Sequence, residues 1–501
     1  MESFRKRRAV FILLSLFTLK IACGQGTFNT RVDYYNQPDF SSSLLLNNDT
    51  ILILTNAGDS ALFNVYEASI LKMDLNGNVL SKKSFRRDSL SFVIGNNILN
   101  LNNKYIIPGT SGDFHAHVFG SIYQFNSNLD TASNIIKSDT SSYTYYSNII
   151  NKGNDLYIFG ASDSSCGPSG YRFILKKADT LGNILWQREY GSSCVYRSPR
   201  NFDTTHANGF ILCGFEQTSP LGWGTSRLFK TDSMGNVLWT KSYGNVNTYF
   251  PTVATASTSG YVLATNEIDS TYMTSFYWTS LRLYRLNEAG DTIWTKKIGP
   301  KSQDFDPINL KLLPNNDLMI CGIHRIPHYD GSGNLVSEQL YGFLCRTDSS
   351  GNVKWFNSYR ANSINDSTTN NYLYDVAQSN DGGFVATGYV APLDGTTEDV
   401  WIIKVDSLGC IIGGCGSTLG VSELSYSSFN IFPNPAQNEI TIESLSTGCK
   451  YAIYDSSGRL ITESIISGHR TILSIHDLAI GLYSVRLQDK EKVIFKIFIK
   501  F

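Results

Sequence analysis

The sequence has little charge of either sign and almost no imbalance between the signs. Charged residues make up 17% of the 501 residues, and 42 Lys and Arg against 43 Asp and Glu leave a net charge of −1. A general nucleic-acid binder needs a basic surface that neutralises phosphates, so this balance argues against a nucleic-acid partner. Proline is scarce at 13 residues, whereas aromatic residues reach 13%, which excludes a collagen-like or disordered chain and provides for a large core.

The sequence also lacks an apolar run of the ~20 residues that a transmembrane helix requires. Its most apolar run, at positions 9–19, is little more than half that length, follows basic residues at positions 5–8 and precedes small residues. This is the pattern of an export signal, so we predict that residues 1–25 are a signal peptide. Cys23 leaves a lipoprotein signal open as an alternative, although Lys20 fits that pattern poorly.

Sequence motifs of common catalytic sites are absent as well. The chain contains no G-x-S-x-G nucleophile motif, no phosphate-binding P-loop and no dinucleotide fingerprint. We therefore predict no cofactor and no metal site, name no catalytic residue, and favour a protein that is not an enzyme.

A short unit recurs through most of the chain, with a strand ending in Asp, a turn of the form x-x-Gly-Asn, and a strand carrying Leu-Trp. The turn glycines are Gly77, Gly182, Gly235, Gly290, Gly351 and Gly409. The first two lie about twice as far apart as the later neighbours, because a degenerate copy of the unit falls between them at positions 125–133. The chain therefore contains seven units of about 52 to 61 residues each, a repeat length typical of stacked structural repeats.

Each unit has four strands, and four antiparallel strands repeated seven times predict an all-β, seven-bladed β-propeller over residues 26–416. The seventh unit lacks a fourth strand. We predict that residues 27–35 supply it as the outer strand, because closing the ring in this way removes an exposed edge. The repeated Trp186, Trp239, Trp294 and Trp355 are predicted to pack one blade against the next. Two stacked sandwiches remain the alternative fold.

Eight of the nine cysteines lie beyond the predicted signal peptide, where an exported chain can form disulfides. Cys410 and Cys415 flank a tight Gly-Gly turn, and Cys166 and Cys194 bracket one hairpin, so we predict these two pairs. A third pair, between Cys321 and Cys345, is a weaker alternative to two buried thiols.

Two long inserts interrupt the repeats, at residues 323–341 and 359–374, and such irregular loops on a rigid scaffold commonly carry binding sites. Within or beside such loops we place five candidate binding residues. They are Trp223, Trp278, His324, His328 and Tyr329.

The C-terminal segment, residues 429–501, forms a separate module with period-2 alternation and turn punctuation, which predicts a small Ig-like β-sandwich. Its marked positions are Pro433-Asn434-Pro435, Gly458 in a YDxxGR hairpin, Gly481-Leu482-Tyr483, and Lys496 and Lys500 in the final strand. Elements in this order resemble the type A C-terminal sorting domain of the type IX secretion system, although residues 489–492 lack the family's usual turn glycine. An ordinary Ig-like module is the alternative, and Ser-rich residues 417–428 are predicted to be the linker.

The resemblance implies recognition by an outer-membrane translocon and its sorting machinery, followed by release or attachment to the cell surface. We therefore expect a secreted or cell-surface-attached propeller that binds an unidentified extracellular polymer or protein, as an adhesion protein does. The alternatives are an extracellular polysaccharide- or glycan-degrading enzyme with acid and base residues from different blades, and a purely structural surface component. Two facing carboxylates would favour the enzyme, and a flat aromatic face would favour binding.

Overall fold

The computed structural model divides into two compact units, Met1–Ser417 and Thr418–Phe501. Throughout its described parts the regular structure is β-strand. The structure describes residues 26–33, 39–58, 66–85, 91–112, 118–129, 132–137, 143–163, 170–191, 195–217, 224–244, 250–272, 276–299, 303–330, 335–361, 369–392, 398–411, 430–443, 449–455, 459–466, 468, 470–488 and 493–501.

The first unit contains 29 of the described strands. In chain order they are β1 (Phe28–Val32), β2 (Asp39–Asn47), β3 (Thr50–Gly58), β4 (Tyr66–Asp74), β5 (Val79–Phe85), β6 (Ser91–Ile94), β7 (Leu99–Leu101), β8 (Lys104–Gly112), β9 (Val118–Asn126), β10 (Ala132–Lys137), β11 (Thr144–Lys152), β12 (Asp155–Asp163), β13 (Tyr171–Asp179), β14 (Ile184–Tyr190), β15 (Arg197–Thr204), β16 (Phe210–Gln217), β17 (Gly224–Thr231), β18 (Val237–Tyr243), β19 (Thr252–Thr255), β20 (Tyr261–Tyr272), β21 (Phe276–Leu286), β22 (Thr292–Ile298), β23 (Asp304–Leu312), β24 (Leu318–Tyr329), β25 (Leu335–Thr347), β26 (Val353–Tyr359), β27 (Thr369–Gln378), β28 (Phe384–Pro392) and β29 (Asp399–Val405).

These strands form seven antiparallel sheets among the described residues. Six sheets have four strands each, and the remaining one is β10-β9-β8-β6 with β7 also paired to β8. The last sheet has the order β1-β29-β28-β27, so the N-terminal strand β1 is its outer strand. Buried clusters of side chains lie between neighbouring sheets. One of them joins Phe159 and Phe173 of one sheet to Phe210 and Phe229 of the next.

The innermost strand of five sheets has an irregular register at the same place. In β27 the shift falls between Leu373 and Asp375. A glycine on the neighbouring strand makes room for it, because a Cβ on Gly160 or Gly388 would lie 2.0 or 1.8 Å from a carbonyl oxygen of the innermost strand. This close approach explains why glycine ends the repeated apolar strand in the sequence.

Side-chain amides join neighbouring innermost strands. The amide of Asn97 donates to the carbonyl oxygen of Ile149 over 2.6 Å and accepts from its N–H over 2.9 Å. Asn201 binds Val253 in the same way, over 2.8 and 3.0 Å. Each pair is 52 residues apart, so these bonds hold one repeat to the next at the centre of the molecule.

Hydrogen bonds between a side chain and the backbone also join the last sheet to the first. The Asp375 carboxylate on β27 accepts a hydrogen bond from the backbone N–H of Leu44 on β2 over 3.0 Å. Ser41 on β2 also donates to the carbonyl oxygen of Gly388 over 2.8 Å. Together with the pairing of β1 and β29, these bonds close the sheets into a ring.

The outer strand of one sheet clasps a turn of the next sheet. Trp239 Nε1 donates to the carbonyl oxygen of Glu288 over 3.0 Å, and the Tyr243 hydroxyl donates to the carbonyl oxygen of Gly290 over 2.6 Å. A Cβ on Gly290 would lie 2.9 Å from the Trp239 ring, so the ring packs directly on the glycine. The repeated tryptophans therefore pack blade against blade, as the sequence predicts.

The clasped turn is itself held by its own side chains. The Asp232 carboxylate accepts hydrogen bonds from the backbone N–H groups of Met234 and Asn236 over 2.9 and 2.8 Å, and from the Asn236 amide over 2.9 Å. Gly235 has a φ of +79°, a conformation that other residues adopt only with strain. These bonds explain the repeated D-x-x-G-N motif.

The second unit contains seven described strands in two sheets, ordered β30-β31-β34 and β33-β32-β35-β36. The strands are β30 (Asn430–Phe432), β31 (Glu439–Glu443), β32 (Lys450–Asp455), β33 (Leu460–Ile465), β34 (Arg470–Ser474), β35 (Gly481–Gln488) and β36 (Val493–Lys500). One buried cluster contains residues of both sheets, among them Ile440 and Ile442 from the first and Ile453, Val485 and Phe498 from the second.

Candidate ligand-binding face

The two ends of the propeller carry different connections. In the third sheet, β11 and β12 are separated by two residues, whereas residues 164–170 connect β12 to β13 and residues 191–196 lead to the next sheet. Because the strands are antiparallel, the first and third connections of every sheet lie at one end, and the second connection lies at the other end together with the link to the next sheet. In the sheets β19-β20-β21-β22 and β23-β24-β25-β26, the second connection closes an extended hairpin. We call the second end the loop end.

At the loop end, β23 begins with two carboxylates on one face of the strand. Arg325 lies opposite Asp304 in the register, and its Nη1 is 2.6 Å from Asp306 Oδ2. Asp306 also accepts from the Asn266 amide over 2.9 Å, and Asp304 accepts from the backbone N–H of Thr279. Both aspartates are at least nine-tenths buried.

Burial changes the acidity of this cluster. It raises the pKa of Asp304 to about 6, with the Asp306 charge adding to the rise and the Thr279 N–H and Arg325 opposing it. Burial also raises the pKa of Asp306, against the charge of Arg325. A carboxyl group with a pKa near 6 exchanges its proton close to neutral pH, which is a property that acid–base chemistry uses.

Three tyrosines lie together beside this cluster. The rings of Tyr372 on β27 and Tyr389 on β28 are stacked 4.4 Å apart at 15°, and Tyr374 lies 5.8 Å from Tyr389. All three are half-buried. Burial raises the pKa of each, so the hydroxyls stay protonated. Such stacked rings combine apolar faces with polar edges, as binding surfaces often do.

Arg200 adds a cation next to the tyrosines. It occupies the register shift of β15, and its guanidinium carbon lies 4.7 Å from the centre of the Phe250 ring. Burial lowers its pKa, while nearby Tyr145 and Tyr374 act in the opposite direction. Arginine keeps its charge even so, and its planar group can both stack and donate hydrogen bonds.

The innermost strands surround a cavity of about 410 Å³, to which all seven sheets contribute residues. Arg200 and Tyr374 belong to its wall, as do Asp203 and Lys311 further along the strands. The ammonium group of Lys311 is 3.3 Å from Asp375. Burial raises the pKa of Asp203, and the Lys311 charge lowers it. The wall thus contains charges of both signs together with amides and apolar side chains.

The sequence predicts His324 in a loop, and this prediction is wrong. His324 lies in β24, is fully buried, and is stacked on Phe305 with ring centres 4.4 Å apart. Its ring nitrogens lie 2.7 Å from Ser358 Oγ and 2.7 Å from Gln303 Oε1. Burial lowers its pKa to about 4, so the ring is neutral and fully engaged in the core.

The expectation of an exposed loop tryptophan at position 278 is also wrong. Trp278 lies in β21 and is 3% exposed. His328 and Tyr329 end β24, because the long insert extends the β24–β25 hairpin instead of forming an irregular loop. Trp223 lies outside the described residues. A binding role for Trp223, His328 and Tyr329 stays a prediction.

The predicted disulfides fall largely outside the described residues, which exclude Cys166, Cys194 and Cys415. Cys410 is 1% exposed, and both pairings stay predictions. Cys321 and Cys345 are buried free thiols, so the weaker third pair is wrong. Cys321 lies opposite Leu344 in the register, one position from Cys345, and the two side chains therefore point to opposite faces of the sheet.

In the second unit, the Pro433-Asn434-Pro435 segment lies against the last strand. Ile499 donates its backbone N–H to Asn434 Oδ1 over 3.0 Å, and Ala436 donates to the carbonyl oxygen of Ile499 over 2.8 Å. These bonds place the segment near the start of the module beside its last strand, β36.

Of the other marked positions of this unit, Tyr483 is buried and stacks on Phe498 at 5.4 Å, whereas Leu482 is 48% exposed. Gly481 begins β35, Lys496 is half-buried and Lys500 is buried. Gly458 lies outside the described residues.

Residues 430–500 match the family model of the secretion system C-terminal sorting domain. This segment is a type IX sorting domain. The sorting domain directs the protein to the cell surface or the medium, and it implies contact with the type IX secretion machinery. Among the described residues, no helix is long and apolar enough to span a membrane. No curated protein matches the chain.

Several solved structures are similar to the chain in fold. An α-L-arabinofuranosidase of Fusarium graminearum is 13% identical, over 63% of this chain and 98% of that one, with a TM-score of 0.43. An α-L-arabinanase of Penicillium chrysogenum is 9% identical, over 76% and 98%, with a TM-score of 0.42. The β-propeller domain of a Pyrococcus furiosus protease is 10% identical, over 73% and 95%, with a TM-score of 0.40.

At such identities these similarities say nothing about activity. The predicted all-β chain, with a β-propeller ahead of the sorting domain, is confirmed.

The Asp304, Asp306 and Arg325 cluster is not among the sites predicted from the sequence. A usable signal was present, because an Asp-x-Asp pair at the start of an innermost strand places both carboxylates on one face at the loop end. The tyrosines were partly located, since Tyr372 and Tyr374 belong to the insert at residues 359–374.

Proposed function

We propose that this protein is a secreted or cell-surface-attached binding protein that recognises an extracellular polymer or protein through the loop end of its propeller. Residues 1–25 act as the export signal, residues 26–416 form the binding unit, and residues 417–428 link it to the sorting domain at 429–501. The outer-membrane translocon reads that domain, and adhesion is the biological role that this arrangement suits.

The stacked tyrosines at the loop end carry this proposal. Tyr372 and Tyr389 offer ring faces and hydroxyls, and the Arg325–Asp306 ion pair and Arg200 lie in the same region. Aromatic residues and arginine are the side chains that contribute most to binding surfaces. At the opposite end, the polar side chains of the tight turns form hydrogen bonds within their own turns, as Asp232 and Asn236 do. The loop end is therefore the surface that differs more from sheet to sheet.

One observation favours a second function, an extracellular glycan-degrading enzyme. The pKa of Asp304 is about 6, and a second carboxylate, Asp306, lies two residues away. Glycoside hydrolysis uses a pair of carboxyl groups, one of them with a raised pKa. Both groups are buried and Asp306 is paired with Arg325, so the binding function has the stronger support.

A binding experiment with the purified full chain tests the proposal. The probes are insoluble cellulose, chitin and peptidoglycan, and surfaces coated with collagen or fibronectin. We expect the chain to bind at least one of them, and the Tyr372→Ala/Tyr389→Ala variant to lose most of that binding. A matched control, Leu185→Ser/Leu238→Ser, changes exposed residues of the outer strands and should bind normally.

Three outcomes contradict the proposal in different ways. If none of the probes is bound, the binding function is wrong for these ligand classes. If the control loses binding and the tyrosine variant does not, the binding surface is wrongly placed. If the polysaccharides are cleaved, with release of reducing sugar that Asp304→Asn abolishes, the enzyme replaces the binding protein.

A further inference from the structure

We propose that the type IX secretion machinery recognises the sorting domain at an apolar patch on the outer face of its second sheet. The patch consists of Ile480, Leu482, Ile499 and Phe501. This inference rests on one part of the proposed function, namely that the machinery reads the sorting domain, and it adds the surface that is read. It does not depend on what the propeller binds.

Exposed apolar side chains are concentrated in the second unit. Of the 21 large apolar residues that are exposed among the described residues, seven lie in this unit, which is less than a fifth of the chain. Single exposed residues of this kind are normal on a protein surface, whereas a group on one face marks contact with another molecule. The patch is such a group, with exposed fractions from 46% for Ile499 to 82% for Ile480.

The strand register places the patch on the side of the sheet that faces away from the core. Leu482 on β35 lies directly opposite Ile499 on β36. The adjacent Tyr483 and Phe498 belong to the buried cluster between the two sheets. Because successive side chains of a strand point to opposite faces, Leu482 and Ile499 point outward.

Ile480 and Phe501 extend this pair. Ile480 precedes β35 and Phe501 follows β36, each two positions away, so the alternation puts them on the same face. Phe501 is held beside the sheet, since its backbone N–H donates to the carbonyl oxygen of Ala436 over 3.1 Å. Side chains two positions apart on a strand are about 7 Å apart and neighbouring strands about 5 Å, so the patch is continuous.

Leu482 has no packing role within the unit that explains its presence in the Gly481-Leu482-Tyr483 motif. Tyr483 of that motif is 7% exposed and stacks on Phe498, whereas Leu482 is 48% exposed. Burial against a partner would remove the remaining apolar surface from water, which is favourable. The partner that the family match implies for this domain is the type IX machinery.

Arg486 adds a charge to the same face. It lies between Val485 and Leu487, which both belong to the buried cluster, and therefore points outward. Its Nη2 donates to Gln488 Oε1 over 3.0 Å, and no ion pair between described residues includes it. The surface that fits this face is therefore apolar and bordered by an acidic group.

Export of the full chain from a bacterium that has a type IX system tests the inference. Leu482→Ser/Ile499→Ser makes the patch polar and should reduce the chain on the cell surface and in the medium by about tenfold, because two apolar contacts of this size are worth about that factor in affinity. The chain should accumulate in the periplasm instead. Leu482→Ile/Ile499→Leu keeps the patch apolar and should be exported like the wild type, whereas Arg486→Glu should reduce export.

Ile465→Ser/Ile472→Ser is the matched control. These isoleucines are 64% and 62% exposed and lie outside the patch, with Ile472 on the other sheet. The control should be exported like the wild type. The thermal midpoints of both purified serine variants should stay within about 4 °C of the wild type, because exposed side chains add little to stability.

Four results would overturn the inference. They are normal export of Leu482→Ser/Ile499→Ser, an equal loss of export in the control, a loss of export in Leu482→Ile/Ile499→Leu, and a larger fall of the thermal midpoint in the patch variant, which would show that the patch packs inside the protein. Normal export of Arg486→Glu would overturn the acidic border.

Deletion of residues 430–500 separates this inference from the proposed function. If the deletion stops export while Leu482→Ser/Ile499→Ser is exported, the patch is wrong and the sorting role stands. If the deleted chain is still exported, the sorting role itself is wrong.

Discussion

Removing single hydroxyl groups from the clasp between neighbouring blades should measurably loosen the propeller. The Tyr243 hydroxyl donates to the carbonyl oxygen of Gly290 over 2.6 Å, and Tyr243 is only 7% exposed. Burial raises the pKa of Tyr243, so the hydroxyl keeps its proton and donates even in alkaline solution. Tyr243→Phe removes this bond and leaves the ring in place.

The expected loss of unfolding free energy follows from the carbonyl group that loses its hydrogen-bond donor. The Gly290 carbonyl is buried, and without its donor it keeps an unmade hydrogen bond, which costs about 1–2 kcal/mol of unfolding free energy. Tyr190 makes the same bond to Gly235 over 2.9 Å, and Tyr359 makes it to Gly409 over 2.7 Å. The Gly409 carbonyl also accepts from the Asn357 amide over 2.9 Å, so the loss at that site should be smaller. Because the three sites lie in different blades, the losses should add to about 2–5 kcal/mol in the triple variant.

Urea unfolding followed by tryptophan fluorescence measures this loss. All seven tryptophans lie before residue 402, so the signal reports the propeller and not the sorting domain. Tyr143→Phe is the control, since Tyr143 is 38% exposed and should change the transition very little. If the triple variant unfolds at the same urea concentration as the wild type, the clasp does not stabilise the ring and the reasoning is refuted.

Four further predictions concern two aspartates, the sorting domain and a cysteine pair. Burial raises the pKa of Asp304 from its usual 3.8 to about 6, so the folded protein favours the protonated carboxyl group. The contribution of Asp304 to folding stability is therefore fully present below pH 3.8 and is lost as the pH rises through 6, and Asp304→Asn should raise the thermal midpoint at neutral pH and not in acid. Hydrogen bonds from Asn236 hold the pKa of Asp232 below its usual 3.8, so the ionised carboxylate stabilises the folded protein above that pH. This stabilisation is lost as the pH falls. The Asp232→Ala variant should therefore unfold at a lower temperature than the wild type at neutral pH, and the difference should vanish in strong acid. Deleting residues 430–500 should keep the protein inside the cell, as fractionation and immunoblotting would show. Non-reducing peptide mass spectrometry should find Cys410 joined to Cys415, and free thiols at both would contradict the pairing.

The repeat pattern predicted most of the propeller, because each part of it has a local cause. The D-x-x-G-N turn needs Asp and Asn for its hydrogen bonds and Gly for its positive φ. The Leu-Trp strand needs Trp239 to cover Gly290 of the next blade. These requirements repeat with the unit, and repetition makes them visible without any structure.

The site was harder to predict, since it depends on distances between repeats. Nothing local in the sequence shows that Arg200 of one sheet and Tyr374 of another line the same cavity. The insert around His324 was misread because an extended hairpin can contain proline and glycine near its tip and still bury the histidine. Residues that act across the ring become recognisable only when the seven sheets are brought together.

The proposed function depends most on the loop end being the binding surface. Hydrogen–deuterium exchange of the full chain, with and without whichever probe binds, tests this directly. If the loop end binds the probe, amide exchange should be slower at residues 369–374 and 387–392, which contain the stacked tyrosines and lie at the loop end. Protection confined to the tight turns, such as residues 205–209 and 232–236, would contradict it.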